Sequence, residues 1–465
     1  MKIEDFDFDK TLNPLDPMNL DQFHDMIRFT YHFYPVGQGL FGAGFLSRHL
    51  DISPSFLWVY DCGTSSSELL IHRGISNLGS HSGNRKRIDL LTISHFDKDH
   101  ISGITRLLRE FKVGTILLPY MPLVERIVIG LNENSSDNLP LMGFYLNPAL
   151  YLLGQEGAEI ERIVFVPPSE NGPDYPNDEQ APVNVAPDGD DSLELDGAEK
   201  WPTQEDAEAF RQASLHRNRK TKVQLLKPGS RLRLRRFNWE FIPYNDAPKS
   251  PIPNAFSEIV SKECRKLLSD ESASIYEESL KKIVGAYKTQ FGKSSKQKNI
   301  ISLFLYSGPI YMNLQTCHLT SSQSFGWKTR QSSAFSIYSK KFSRLEREVD
   351  DPRCSILYAG DGYLNKQEKL ERLIRYLDPR RVRRIGVFQV MHHGAVSSWH
   401  KGVAEAIAAT FSVFSSDPEH KKLRHPHSEV LRDFWRFGAV QVNRTRDFTA
   451  SGHFRILHPL GSGTF

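Results

Sequence analysis

Four short apolar runs in this chain end on a carboxylate or an imidazole, with stretches of helical spacing between them. RIDLLTIS (Arg87 to Ser94) stops on His95, ILYAG stops on Asp361, RIGVFQVM stops on His392 and His393, and FSVFSS is followed after a loop by His425. Near-continuous apolar runs of this length read as buried strands. After His100, the residues Ile101, Ile104, Leu107, Leu108 and Phe111 recur at three- and four-residue intervals, which predicts an amphipathic helix, and VGTILLP reads as the next strand. The C-terminal part continues as strand SILYAG, helix LNKQEKLERLIRYL, strand RIGVFQVM, helix WHKGVAEAIAATF, strand FSVFSS, helix SEVLRDFWRFG and a last hairpin through GHFRI. Strands alternating with helices predict a layered α/β protein. Open α/β folds bind ligands at the carboxyl ends of their strands, so the Asp and His residues stand where chemistry is expected.

With 465 residues the chain fits one large domain enlarged by insertions. The first strands are expected from Phe29, leaving 1–28 as an N-terminal extension before a single domain at 29–465. Three insertions are expected. The first, at about 167–212, is acidic and rich in Pro and Gly, a composition that predicts a flexible loop. The second, at 250–297, has helical spacing through Ile275, Leu280, Ile283, Val284 and Tyr287; the third covers 313–352. A basic stretch from Arg211 to Arg236 follows the acidic loop, and two readings of it stay open: a solvated edge strand, or a polyanion-binding edge using Arg231, Arg233 and Arg235. The global balance of 59 basic against 55 acidic residues is too even to establish a nucleic-acid partner. Four cysteines with no CxxC pair argue against a disulfide scaffold and a thiolate zinc site. The charged N-terminus and the lack of a run near the roughly 18 apolar residues of a membrane span predict a cytoplasmic protein without membrane contact.

The densest chemistry lies in HFDKDH, where His95, Asp97, Asp99 and His100 place four potential ligands in six positions at a strand end. Two imidazoles and two carboxylates suit a hard or borderline divalent cation. The plainer alternative is a solvated acidic loop with His100 at the helix start. Lys98 is either a first phosphate contact or a solvated lysine. Asp361 after a glycine, or a histidine such as His425 before a helix, is weak evidence alone; the joint pattern of four strand ends is what points to a site.

HFDKDH resembles the HxHxDH signature of the metallo-β-lactamase superfamily, with Asp97 in place of the second histidine. VGQG (Val36 to Gly39), Asp61 and Gly63, SHFDKDHISG (Ser94 to Gly103), NIISL (Asn299 to Leu303), Gly360 with Asp361, His392 to Gly394, and His425 with Pro426 follow the order of motifs in the hydrolase domain of ComEC-type competence proteins. The resemblance spans about Tyr31 to Ile456. It implies an αββα sandwich with surface insertions and two divalent metal ions, zinc or manganese. His95 and Asp97 would form site one, Asp99 and His100 site two, with Asp361 bridging and His425 as the late ligand. His392 or His393 would be a general acid on the leaving oxygen or would complete a metal shell. The superfamily's middle histidine has no counterpart near Tyr244 and Asn245, so site one is expected to be weak or to favour manganese.

The expected function is therefore a metal-dependent phosphodiesterase or nuclease acting on DNA or RNA through a metal-activated hydroxide, with Asp99 orienting that hydroxide. A hydrolase of a small ester, amide or cyclic nucleotide is the alternative. A decayed site in a non-enzymatic protein that binds a partner through its insertions is the third reading.

Overall fold

The computed structural model describes residues 26–48, 51, 54–132, 139–174, 193–215, 221–246, 254–269, 273–291, 302–310, 318–323, 353–420 and 423–455. Outside them lie Asn299 to Ile301 of the NIISL run, the basic residues Arg217, Arg219 and Lys220, the acidic residues Asp178 to Asp191, and most of 313–352. The strands are β1 (Met26–Phe33), β2 (Gly42–Arg48), β3 (Phe56–Tyr60), β4 (Arg87–Thr92), β5 (Lys112–Pro119) and β6 (Ile160–Val166). Next come β7 (Glu194–Leu195), β8 (Ala198–Glu199), β9 (Lys222–Leu226), β10 (Leu232–Leu234), β11 (Trp239–Asn245) and β12 (Leu303–Pro309). The last are β13 (His318–Ser322), β14 (Ser355–Tyr358), β15 (Ile385–Gln389), β16 (Phe411–Ser415), β17 (Ala439–Val442) and β18 (Phe448–Arg455).

They form two mixed sheets. A ten-stranded sheet has the order β13-β18-β1-β2-β3-β4-β5-β6-β9-β8, and an eight-stranded one the order β17-β16-β15-β14-β12-β11-β10-β7. Within them β3 to β6 and β14 to β17 run parallel. These are the segments where strands alternate with helices, because a parallel neighbour is reached only through a crossover. The layered α/β expectation holds at this level.

The sheets meet face to face through alternating large side chains. On β1 the residues Ile27, Phe29, Tyr31 and Phe33 are buried in one apolar cluster with Trp58, Trp239 and Phe241. Phe29 lies 5.9 Å from Trp239, and Trp58 lies edge-on to Phe241 at 5.3 Å. A second cluster packs the helices Glu68–His81, Ile104–Glu110 and Pro148–Gly154 on the ten-stranded sheet, and a third packs Gln367–Leu377 on the eight-stranded one. No helix of the described residues is long and apolar enough to cross a membrane.

Several expectations need correction. The first sheet begins at Met26, inside the predicted extension 1–28. The predicted last hairpin is no hairpin: β17 extends the parallel run beside β16, whereas β18 pairs with β1 in the other sheet. Phe448, Ala450 and Phe454 alternate along β18, and burying that side between the sheets outweighs local pairing across the turn. Among its described residues the acidic insertion 167–212 is no flexible loop: it carries β7 and β8 and runs into the helix Gln204–Leu215. Trp201, Ala209, Phe210 and Ala213 supply the apolar face, with Trp201 and Phe210 4.5 Å apart. Its Asp206 is buried but held by Arg126 at 3.0 Å, so a charge that composition counts as solvated is neutralised inside. The segment 313–352 contributes β13, an edge strand on β18. In 250–297, the helices Asn254–Ser269 and Ala273–Phe291 lie against each other.

Candidate metal centre

The loops after β3, β4, β14, β15 and β16 converge at one edge of the two sheets. The sheets are tied there by a backbone hydrogen bond from Leu303 N–H to the Ser94 carbonyl (2.8 Å), and within the ten-stranded sheet Leu40 N–H, between β1 and β2, reaches the Asp99 carbonyl (3.1 Å). Gly63 allows the closest approach: a Cβ there would stand 2.4 to 2.6 Å from the His100 and Asp99 backbone, so only glycine fits.

Asp61, buried at the end of β3, organises the loop that carries HFDKDH. Its carboxylate accepts hydrogen bonds from Ser94 N–H (2.7 Å) and the Ser94 hydroxyl (2.6 Å), and meets His100 Nδ1 at 2.7 Å. Asp361 is aimed by its backbone, whose N–H donates to Ser302 Oγ at 3.1 Å, while the Gln389 side chain accepts from the two preceding N–H groups. After β15, His392 and His393 both have left-handed backbone (φ 48° and 55°), a conformation that costs non-glycine residues about 1–3 kcal/mol each and concentrates at functional sites. His392 N–H to the Gly360 carbonyl (2.9 Å) and His393 Nδ1 against the Ser415 carbonyl (2.6 Å) hold the pair in place.

Asp99, His100, Asp361 and His393 form the tightest set, with one ligand atom from each within 4.8 Å of all the others. His393 Nε2 stands 3.1 Å from Asp99 Oδ2 and 3.5 Å from Asp361 Oδ1, and His100 Nε2 stands 3.1 Å from Asp361 Oδ1. The other oxygen of Asp361 faces a second group: Oδ2 is 3.8 Å from His95 Nε2 and 3.5 Å from His392 Nε2. His95 Nε2 is also 3.7 Å from Asp97 Oδ2. His425 stands one ring further out, its centroid 6.3 Å from that of His393 and 6.0 Å from that of His392. The tight set thus contains His393, whose role the sequence leaves undecided, and lacks His425, the expected late ligand. Lys98 is exposed on the same loop.

Arg231, Arg233 and Arg235 are not brought to this edge cluster. They belong to the β10 segment, separated from β14 by β11 and β12, and each already faces a carboxylate: Glu240, Asp196 and Glu194 respectively. Sequence reasoning marks Asp61 without giving it a role and passes over Ser94; the carboxylate two residues before Gly63 is the signal for the first.

Burial and mutual charge set the protonation of the cluster. Burial, reinforced by the neighbouring His100, pushes His95 down to about 4. Burial, with His393 and His392 nearby, pushes His425 down to about 3. Burial opposes the charge on His100, yet the Asp361 and Asp61 carboxylates hold its pKa well above the usual histidine value. Burial also opposes ionisation of Asp99, but the hydrogen bond from His393 and the charge of His100 keep its carboxyl at about 2.

The hydrogen bonds on the far side of each ring say which nitrogen is left to face the cluster as a ligand atom. His100 Nδ1 meets a carboxylate and His393 Nδ1 a carbonyl, both pure acceptors, so each Nδ1 carries the proton. His95 Nδ1 meets the Ser94 hydroxyl at 2.9 Å, whose own hydrogen goes to Asp61, so it too must donate. All three therefore turn Nε2 inward as the atom left to ligate, and in His100 and His393 it does so by giving up the proton now shared with Asp361 and Asp99. His95 Nε2 is buried with no hydrogen-bond partner, and His100 Nε2 and Asp361 Oδ1 are buried with only each other, at 3.1 Å, to offset their polarity. Buried polar atoms left open in this way are costly unless something completes them, and a divalent cation is what this donor set fits. No known family's sequence model matches this chain, and no curated protein matches it.

Proposed function

We propose that the chain is a metal-dependent hydrolase of the metallo-β-lactamase superfamily, an αββα sandwich that cleaves phosphodiesters, with DNA or RNA as the substrate class. The observation that carries this reading is the convergence of open, buried Nε2 and carboxylate atoms where strands of both sheets end. Asp99, His100, His393 and Asp361 would hold one cation. His95, Asp97 and the second oxygen of Asp361 would hold another, with His425 behind them. Bound cations there would lower the pKa of a water and stabilise negative charge on a phosphoryl oxygen.

The protein's own residues supply the rest. Asp361 turns one oxygen toward each group and keeps the two coupled. Asp61 and Ser94 orient His100 and His95, and Asp99, held ionised, accepts a hydrogen bond from the attacking water. His392, whose side chain is 26% exposed, is the ring a substrate oxygen reaches first. The β10 arginines lend the nuclease reading no support, since their charges are met within the fold; nucleic acid rests on the ComEC-like order of motifs. The open ligand atoms weigh against a decayed site, because decay replaces such atoms by satisfied or apolar ones.

The test incubates the purified protein with Mn²⁺ or Zn²⁺ and labelled single- and double-stranded DNA and RNA, beside bis(p-nitrophenyl) phosphate and a p-nitrophenyl carboxylic ester. Metal-dependent diester cleavage, abolished by chelator and by Asp99→Ala, is expected. Ester hydrolysis without diester hydrolysis would favour the small-ester alternative, and protein that binds metal yet cleaves nothing would sink the reading.

A further inference from the structure

We infer that Ser398 is a positioning residue that makes His392 a hydrogen-bond donor toward substrate, with the opposite tautomer to the three histidines that keep a proton on Nδ1 and turn Nε2 inward as a ligand atom. The inference rests on the hydrolase reading above. Ser398 is fully buried, at the end of the short turn Val396–Ser398 that follows the histidine pair. Its backbone is fixed on both sides: the N–H donates to the Ala395 carbonyl (3.2 Å), and its carbonyl accepts from Leu364 N–H (2.9 Å), in the loop just after Asp361. Its hydroxyl therefore has a set position, 2.7 Å from His392 Nδ1.

The direction of that hydrogen bond follows from what else the hydroxyl can reach. A buried hydroxyl hydrogen needs an acceptor, and among the described residues His392 Nδ1 is the acceptor Ser398 Oγ meets at hydrogen-bond distance. The Tyr363 hydroxyl also comes within reach of Ser398, and that contact fixes no direction of its own. With Nδ1 accepting, the ring proton sits on Nε2. Ser94 presents the opposite case beside His95: its hydrogen is taken by Asp61, so it accepts from the ring. Two serine–histidine contacts of nearly equal length thus set opposite tautomers, and the difference is whether a carboxylate stands behind the serine.

His392 Nε2–H then lies 3.5 Å from Asp361 Oδ2, with part of the ring open to solvent. A nitrogen that carries a proton cannot ligate a cation, and His392 is absent from the tight ligand set. It can donate to the oxygen on which charge builds as a phosphorus–oxygen bond breaks, and its value grows with the charge that oxygen accumulates. The backbone strain at His392 places the N–H there, and Ser398 keeps it pointing.

Two measurements test this. The first compares bis(p-nitrophenyl) phosphate, whose leaving phenoxide needs little help, with thymidylyl-thymidine, whose leaving alkoxide needs much. Ser398→Ala should lower kcat on the dinucleotide by roughly 10- to 100-fold with KM nearly unchanged, slow the aryl diester by no more than about threefold, and retain its metal content, with Ser398→Thr restoring most of the loss. Equal slowing on both substrates, or a parallel loss of metal, would overturn the inference. The second is ¹⁵N NMR of histidine-labelled wild-type protein with and without Zn²⁺, which needs no variant and no activity. A protonated Nε2 on His392 beside protonated Nδ1 on His95, His100 and His393 is expected; a protonated Nδ1 on His392 would refute the role of Ser398. If wild-type protein cleaves neither diester, the hydrolase reading fails while the NMR result still decides the polarity of His392.

Discussion

Two regions of this molecule gather charge at similar density, and they resolve it in opposite ways. Around β10, Arg231 and the fully buried Arg381 share Glu240 at 2.8 and 2.7 Å, Arg233 holds Asp196 at 2.7 Å and Arg235 holds Glu194 at 2.7 Å. Arg233 Nε is buried there without a hydrogen bond, although the same guanidinium is paired through Nη2, and Arg236 Nε is buried likewise in a residue that is partnered otherwise. At the strand ends, His95 Nε2 and His425 Nδ1 are buried and open, and His100 Nε2 and Asp361 Oδ1 are buried with no well-directed hydrogen bond beyond their mutual contact at 3.1 Å. Charge density therefore marks neither region as functional. What separates them is whether the polar atoms already have partners, because a buried polar atom left open costs about 1–3 kcal/mol and persists where something else completes it.

The sharpest way to break the comparison is to remove the carboxylate that both ligand groups share. Asp361→Asn is expected to lower bound metal, read by plasma mass spectrometry, and to cut diester hydrolysis by at least about a hundredfold. Retained metal and activity would mean that the open atoms are not ligands. The matching change on the other side is Glu240→Gln, which leaves the buried Arg381 facing a neutral amide. Breaking a buried pair costs about 3–5 kcal/mol, so chemical denaturation should register a loss of that order while metal content stays the same. A stability loss as large from Asp361→Asn, or a metal loss from Glu240→Gln, would erase the distinction between the regions.

Asp61→Asn is expected to act more mildly, weakening metal affinity or activity by about 10- to 100-fold, since it disorients His100 without removing a ligand. The protonation states give the next effect. The pKa of His100 is raised in the metal-free fold, so its stabilising charge is fully present below its unfolded value, near 6.5, and is lost as pH rises through the folded value. Asp99 runs the other way: its pKa is lowered to about 2, so its contribution is present above about 3.8 and lost as pH falls toward 2. Metal-free protein should thus be most stable between those limits. Because a cation must displace the His100 proton, metal affinity should rise about tenfold per pH unit while that proton is released, which calorimetry in buffers of different ionisation enthalpy would count. Affinity independent of pH would remove His100 from the ligand set.

The elements that position the site were legible because their apolar runs are local: β14, β15 and β16 are buried on nearly every residue and β4 on most, and β4, β14 and β15 each end just before a polar residue, while His425 follows β16 after a loop. The hairpin error at β17 and β18 has a non-local cause, since the partner of β18 is β1, at the other end of the chain. The ordered helix Gln204–Leu215 was hidden by composition, because the charge of Asp206 is cancelled by Arg126, eighty residues earlier. Within the site, HFDKDH announced itself by density. Asp61 and Ser94 did not, because a residue that orients a ligand has no spacing rule, and its role is visible only as a hydrogen bond between distant segments. The choice between His393 and His425 as the fourth ligand was beyond sequence for the same reason: it depends on which ring the Ser415 carbonyl turns toward Asp99.

The smallest effect is expected where sequence composition drew the eye first. Arg233 and Arg235 lie on the segment that read as a candidate polyanion edge, but in the fold their carboxylate partners come from β7 and the turn after it, so the local charge is nearly balanced. Exposed or half-exposed pairs of this kind contribute less than about 1 kcal/mol, so Arg235→Ala should barely move the unfolding midpoint. The more telling readout is the salt dependence of oligonucleotide binding. An arginine that neutralises a phosphate adds about one to the slope of log affinity against log salt, and its removal takes that increment away. An unchanged slope and KM in Arg233→Ala and Arg235→Ala would keep the β10 region structural. A slope that falls by about one per substitution would show that Asp196 and Glu194 release their arginines to a phosphate backbone, and a paired charge would then no longer count as a spent one.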